Sequence, residues 1–94
     1  MKRTRYSLTL FITGTTPRSL RAISNVRDFC GREIGDDYEL EIVDLYDAPD
    51  RAQPANVIVA PTLVRHEPKP VKLLVGDMSE ALRLRAVIIA PNGG

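Results

Sequence analysis

The 94 residues contain one cysteine and one histidine, and each scarcity removes a class of chemistry. With Cys30 alone, no intramolecular disulfide, paired-cysteine redox motif or cysteine-based zinc site can be built. With His66 alone, no second imidazole or thiol completes a metal site, and the side chain reads as exposed polar surface at a hairpin tip. Net charge is nearly absent too. Thirteen Lys and Arg against 12 Asp and Glu leave +1, so no global field draws in nucleic acid or an anionic membrane. The short basic segments Lys2-Arg3-Thr4-Arg5 and Arg83 with Arg85 read as solubilising. No apolar run approaches the roughly 20 residues of a membrane span, and Tyr6–Ile12 is too short and polar for a secretory h-region. A cytoplasmic location is expected. The length suits one small domain over residues 1–94, with no repeat, linker or low-complexity segment.

What is present reads in order. Tyr6, Leu8, Leu10 and Ile12 alternate with Ser7, Thr9, Phe11 and Thr13, which predicts a strand whose second face is partly covered at Phe11. Gly14-Thr15-Thr16-Pro17 then turns into a helix, with Thr16 as N-cap and Pro17 at the first helical position, where its missing N–H is no loss. Leu20, Ile23, Val26 and Cys30, with Ala22 and Phe29, form its apolar stripe, and Gly31 or Gly35 ends it. Residues 38–45 alternate and then turn continuously apolar, the pattern of a strand entering a covered interior. A strand, helix and strand in this order predict a βαβ unit. Asp47–Ala55 holds at most one short helix opening at Asp47 or Pro49.

The stretch from Val59 to Ser79 organises the rest. Two apolar, β-branched runs flank Pro68 and Pro70, which fix φ and cannot donate ladder hydrogen bonds, so a β-hairpin is expected. Asp77 or Ser79 would cap the last element. Residues 80–89 fit either a helix or a strand: good helix formers open the segment, yet Leu82, Leu84, Ala86 and Ile88 alternate with Arg83 and Arg85. The helical option gives β-α-β-(α)-β-β-α, an α/β, thioredoxin-like arrangement with a mixed sheet. Ala60-Pro61-Thr62 stands where thioredoxin-like proteins keep a cis proline.

No catalytic constellation emerges. The loop that carries two cysteines in redox thioredoxins is here Gly14-Thr15-Thr16-Pro17, so thiol–disulfide exchange is absent there. It also lacks the Lys and second Gly of a phosphate loop and reads as a plain turn. Cys30 falls on the apolar side of the helix and reads as core. Asp36, Asp37, Asp44, Asp47 and Asp50 match no EF-hand spacing and read as solvated or capping. What remains is a sheet edge, a proline-stiffened hairpin and an undecided last element, the equipment of a protein that binds other proteins.

The set Gly14-x-Thr16-Pro17-x-Ser19, Tyr38, Ile42-x-Asp44, Pro49, Ala60-Pro61-Thr62-Leu63, Pro68-x-Pro70-Val71 and Gly76-Asp77-x-Ser79 resembles the circadian clock KaiB family over about residues 6–86. The resemblance implies a non-enzymatic regulator without a cofactor. Its implied partner is a KaiC-type hexameric ATPase, with a sensor histidine kinase or KaiA as further partners, and it implies a homo-oligomer, dimer or tetramer, in at least one state. It also implies fold switching of residues 50–94 between the thioredoxin-like form and an alternative ground-state packing. Where relatives usually place Gly and Asp near the end of the switching segment, this chain has Val87 and Ile89, and Glu41 and Asn56 stand where many relatives carry lysines.

Docking is therefore expected at the edge of the 38–45 strand helped by residues 60–72, with Glu41, Asn56, Arg65 and Lys72 as surface contacts. Gly14, Pro17, Ala60, Pro61, Gly76, Asp77, Val87 and Ile89 are the expected structural or switch positions. One alternative is a thioredoxin-like, glutathione-handling enzyme that polarises a thiol with Thr15 or Thr16. The other is an interaction module, in stress response or dimerisation, unconnected with timekeeping.

Overall fold

The computed structural model describes residues 5–52 and 61–89. The expected sites Asn56 and Ala60 lie outside them. Along the chain come β1 (Tyr6–Ile12), α1 (Pro17–Glu33), β2 (Tyr38–Asp44), a single 3₁₀ turn (Pro49–Arg51), β3 (Thr62–Glu67), β4 (Lys72–Val75) and α2 (Ala81–Ile88). The four strands form one mixed sheet in the order β2-β1-β3-β4. β1 runs parallel to β2 and antiparallel to β3, and β3 pairs antiparallel with β4 across the expected hairpin.

Period-two alternation divides β1 between the two faces. Tyr6, Leu8, Leu10 and Ile12 join Leu63, Met78, the buried side of α1 and Leu84 and Ile88 of α2 in the main core. Phe11 points the other way and packs with Val43 and Val64. α1 starts as its sequence requires: the Thr16 hydroxyl accepts a hydrogen bond from the Ser19 amide at 3.1 Å, and Pro17 opens the helix. It ends at Gly35, whose φ of +69° lets its amide reach the Cys30 carbonyl at 3.0 Å. Its buried stripe is Ser19, Ala22, Val26, Phe29 and Cys30. Leu20, expected in that stripe, is 51% exposed, because Ser19 takes the inward position at this turn.

Gly14 is held in place twice over. Its φ is +73°, and a Cβ there would lie 3.0 Å from Cε2 of Tyr46. One oxygen of Asp44 accepts hydrogen bonds from the amides of both Gly14 and Tyr46, at 3.0 and 2.9 Å, and so ties the end of β2 to the loop after β1. Pro61 is buried, and its carbonyl accepts from the Gly76 amide at 2.9 Å, closing the base of the hairpin. The peptide bonds before Pro68 and Pro70 are cis. The bond before Pro61 involves Ala60 and so falls outside the described residues.

The last element is a helix. Leu84 and Ile88, one turn apart, are buried in the main core at 3% and 0% exposure, while Leu82 stays 83% exposed. The expected caps are corrected: Glu80 occupies the N-cap position without a side-chain bond. Asp77 instead accepts from the Ser79 amide at 3.1 Å, and its carbonyl accepts from the Asn25 side chain at 2.9 Å, tying the loop to α1. Val87 is half-buried and Ile89 forms the C-cap in an extended conformation. The 38–45 strand lies at the sheet edge, where docking was expected. It is the outer strand and ends at Asp44, and its apolar end is covered on both faces, with Ile42 packed on the main core and Val43 buried with Phe11 and Val64.

Candidate protein-docking surface

β2 has β1 on one side, and no described strand pairs its other side. Its residues alternate between the faces: Leu40 and Ile42 pack toward the helices, while Glu39 and Glu41 point to the opposite face beside Ser7 and Thr9 of β1. There they line an open groove of about 490 Å³ together with Leu8, Leu40, Arg51 and His66.

Two polar contacts shape the groove. The Arg51 guanidinium lies bidentate on Glu41, with Nη1 donating to Oε2 at 3.1 Å and Nη2 to Oε1 at 2.9 Å. Hydrogen bonds from Arg51 hold the Glu41 carboxyl below the usual carboxylate range, against an opposing effect of burial. Both side chains are about half exposed, at 45% for Arg51 and 54% for Glu41, so solvent screens much of the pair. On the β3 side, the Thr9 hydroxyl and Nε2 of His66 are 2.9 Å apart. His66 gets there through a register break: β3 and β1 align Arg65 with Leu8 and then Glu67 with Ser7, which leaves His66 as the extra residue of a bulge. It is therefore a half-buried member of a strand, not an exposed tip residue as its neighbours Arg65 and Glu67 had suggested.

The described contact residues, Glu41, Arg65 and Lys72, do not form one patch. Glu41 lies on the outer strand β2 and Lys72 on β4, the opposite edge of the sheet. The surface placement expected for Arg65 is overturned, since the residue is 0% exposed. Strand parity explains it. Arg65 is cross-strand from Leu8 and two residues from Leu63, both core residues on the helix-covered face. Its guanidinium donates from Nη2 to the Pro70 carbonyl at 2.9 Å and from Nη1 to the Ile88 carbonyl at 3.3 Å, at the end of α2, while Nε has no partner. The sequence reading also missed Thr9 and Arg51. Thr9 was legible as a hydroxyl between Leu8 and Leu10, but Arg51 follows Asp47–Asp50 in a turn with no periodicity to place it.

The loop after β1 holds no thiol. Cys30 is fully buried near the far end of α1, and burial pushes its thiol up to about 11. Among the described residues no group of three His, Cys, Asp or Glu side chains is placed to hold a metal ion. No described helix is long and apolar enough to cross a membrane.

The KaiB domain family model matches residues 9–88. The chain belongs to the KaiB family. It is 38% identical over 94 residues to the circadian clock protein KaiB3 of Synechocystis sp., covering 99% of this chain and 92% of that protein. To the circadian clock oscillator protein KaiB of Prochlorococcus marinus strain MIT 9303 it is 34% identical over 82 residues, 87% of this chain and 69% of that protein. The fold is shared more widely. The N-terminal domain of Synechococcus elongatus SasA superposes with a TM-score of 0.74 at 21% identity, over 90% of this chain and 84% of the domain. Mitochondrial thioredoxin 3 of Saccharomyces cerevisiae gives 0.70 at 15% identity, over 90% and 77%. The fold of this KaiB-family member is thus α/β and thioredoxin-like.

Proposed function

We infer that this protein is a non-catalytic regulator of a circadian clock or clock-derived system, acting in the cytoplasm by docking on a KaiC-type hexameric ATPase and altering its output. The observation that carries this reading is membership of the KaiB family across residues 9–88. Two features of the chain support it. The thioredoxin-like fold comes without a thiol at the loop after β1, which leaves a scaffold suited to binding, and the outer side of β2, which no described strand pairs, is an edge a partner strand can join. Docking at that edge engages Glu41 and the groove beside it. The switching of residues 50–94, a further contact with a sensor histidine kinase or KaiA, and self-association belong to the same reading.

The test is size-exclusion chromatography of the protein after many hours with each KaiC-type ATPase of its own genome, with ATP and with ADP. Co-elution with a hexameric ring is expected, and Glu41→Lys is expected to weaken it by about tenfold, as reversal of an interfacial charge does. No shift with any ring contradicts the proposal. A ring that binds wild type and Glu41→Lys equally moves the docking site away from β2.

A further inference from the structure

The sheet edge opposite β2 is β4, and no described strand pairs its outer side. It is apolar on a face where edge strands are usually blunted by charge. Val71, just before the strand, and Leu73 and Val75 within it are 46%, 43% and 51% exposed. Parity explains the exposure: Leu74 is cross-strand from Leu63 and packs on the main core, so Leu73 and Val75, cross-strand from Val64 and Thr62, project from the other face. The backbone alternates in step. The Gly76 amide donates to the Pro61 carbonyl, one pair beyond Val75 and Thr62, so along this antiparallel ladder Leu74 turns its N–H and C=O toward β3, and Leu73 and Val75 turn theirs outward. The stripe reads the same in both directions about Leu73, with a valine two residues away on each side, and Pro70 and Gly76 bound it.

We propose that β4 pairs antiparallel with β4 of a second copy of this chain, with Leu73 opposite Leu73 on a two-fold axis and Val71 opposite Val75. This assigns a surface to the self-association included in the proposed function, and it involves no ATPase. In this register the outward-turned backbone groups of the two copies meet each other, and Val71, Leu73 and Val75 of both gather on one face of a continuous sheet. Lys72 then faces Leu74 of the other copy and not a second lysine. The β2 edge is unsuited to the same pairing, because Glu39 and Glu41 would bring carboxylates against carboxylates. A two-fold contact also closes on itself, whereas β4 on β2 of the next copy would propagate. Three half-exposed side chains on a short strand fall well below the roughly 800 Å² per partner of a stable interface, so the association is weak and concentration-dependent.

The test is a dilution of the isotope-labelled full chain from millimolar to micromolar concentration, followed by amide shifts, together with oxidative crosslinking of introduced cysteines. Concentration-dependent shifts are expected at residues 71–75 and not at 38–44. Leu73→Cys is expected to crosslink to its own copy about tenfold faster than Leu20→Cys, which sits 51% exposed on α1, Cys30 being buried in both. Leu73→Lys and Leu73→Glu, each placing like charges across the axis, should weaken self-association by about tenfold or more, and an equimolar mixture of the two should restore it, which also shows that both are folded. A chain that stays monomeric at millimolar concentration, shifts centred away from β4, equal crosslinking rates, or a mixture that does not associate overturns the proposal. A monomeric result leaves docking of a ring at β2 standing, and a ring that fails to co-elute leaves pairing through β4 standing.

Discussion

Arg65 is the residue at which a local reading and the folded chain part most clearly. Flanked by Val64 and His66 near a proline-rich turn, it looks like surface; strand parity turns it inward under the end of α2. It has carbonyl partners in place of a carboxylate, and the cost of burying it is met by two hydrogen bonds and by packing of its apolar stem. Arg65→Ala, which leaves two carbonyls unpaired and opens a cavity, should destabilise the fold by about 3 kcal/mol in urea unfolding. Arg65→Met, which fills the space without a buried charge, should cost markedly less. Equal losses for the two variants would mean that the hydrogen bonds, not the filled volume, hold this corner. Asp77 gives a pH-dependent prediction. The Ser79 hydroxyl and amide, with lesser help from Arg21 and Arg18, hold its carboxyl below the usual carboxylate range. A depressed folded pKa contributes stability that is present above the unfolded value of about 3.9 and lost as pH falls through the folded one. Asp77→Asn should therefore flatten the decline in melting temperature below about pH 4, and an unchanged acid limb contradicts this role.

At the scale of elements, α2 carries the sharpest test. A strand would put Leu82, Leu84, Ala86 and Ile88 on one face, whereas the helix buries Leu84 and Ile88 and leaves Leu82 in water. Leu84→Ala should then cost about 2–4 kcal/mol and Leu82→Ala close to none, measured by denaturant unfolding of the isolated protein. Similar losses at the two positions would show strand packing of this segment in solution. The same contrast explains what was legible in the sequence. β1, α1 and the hairpin are written locally, in the Leu8–Leu10–Ile12 alternation, in Thr16-Pro17 ahead of the Ala22–Val26–Cys30 spacing, and in the paired prolines 68 and 70. α2 is not, because helix propensity and alternation disagree there and only the packing of Leu84 and Ile88 decides. The groove was half legible: the alternation around Glu41 placed it on a strand, but Arg51 and His66 reach it through tertiary contacts that no local period encodes.

For the whole molecule, the proposed docking rests on an arrangement of edges more than on any single group. The helices cover one face, the main core lies beneath them, and the acidic outer strand is left beside an open groove, so the molecule presents backbone and charge together. The most direct measurement is hydrogen exchange of the free protein against its complex with a KaiC-type ring. The account predicts slowed exchange concentrated in the amides of residues 38–45, because a partner strand there closes the edge of β2 that no described strand pairs. A complex that forms while 38–45 exchange as in the free protein, with protection confined to the β4 edge or the outer surface of α1, would contradict it.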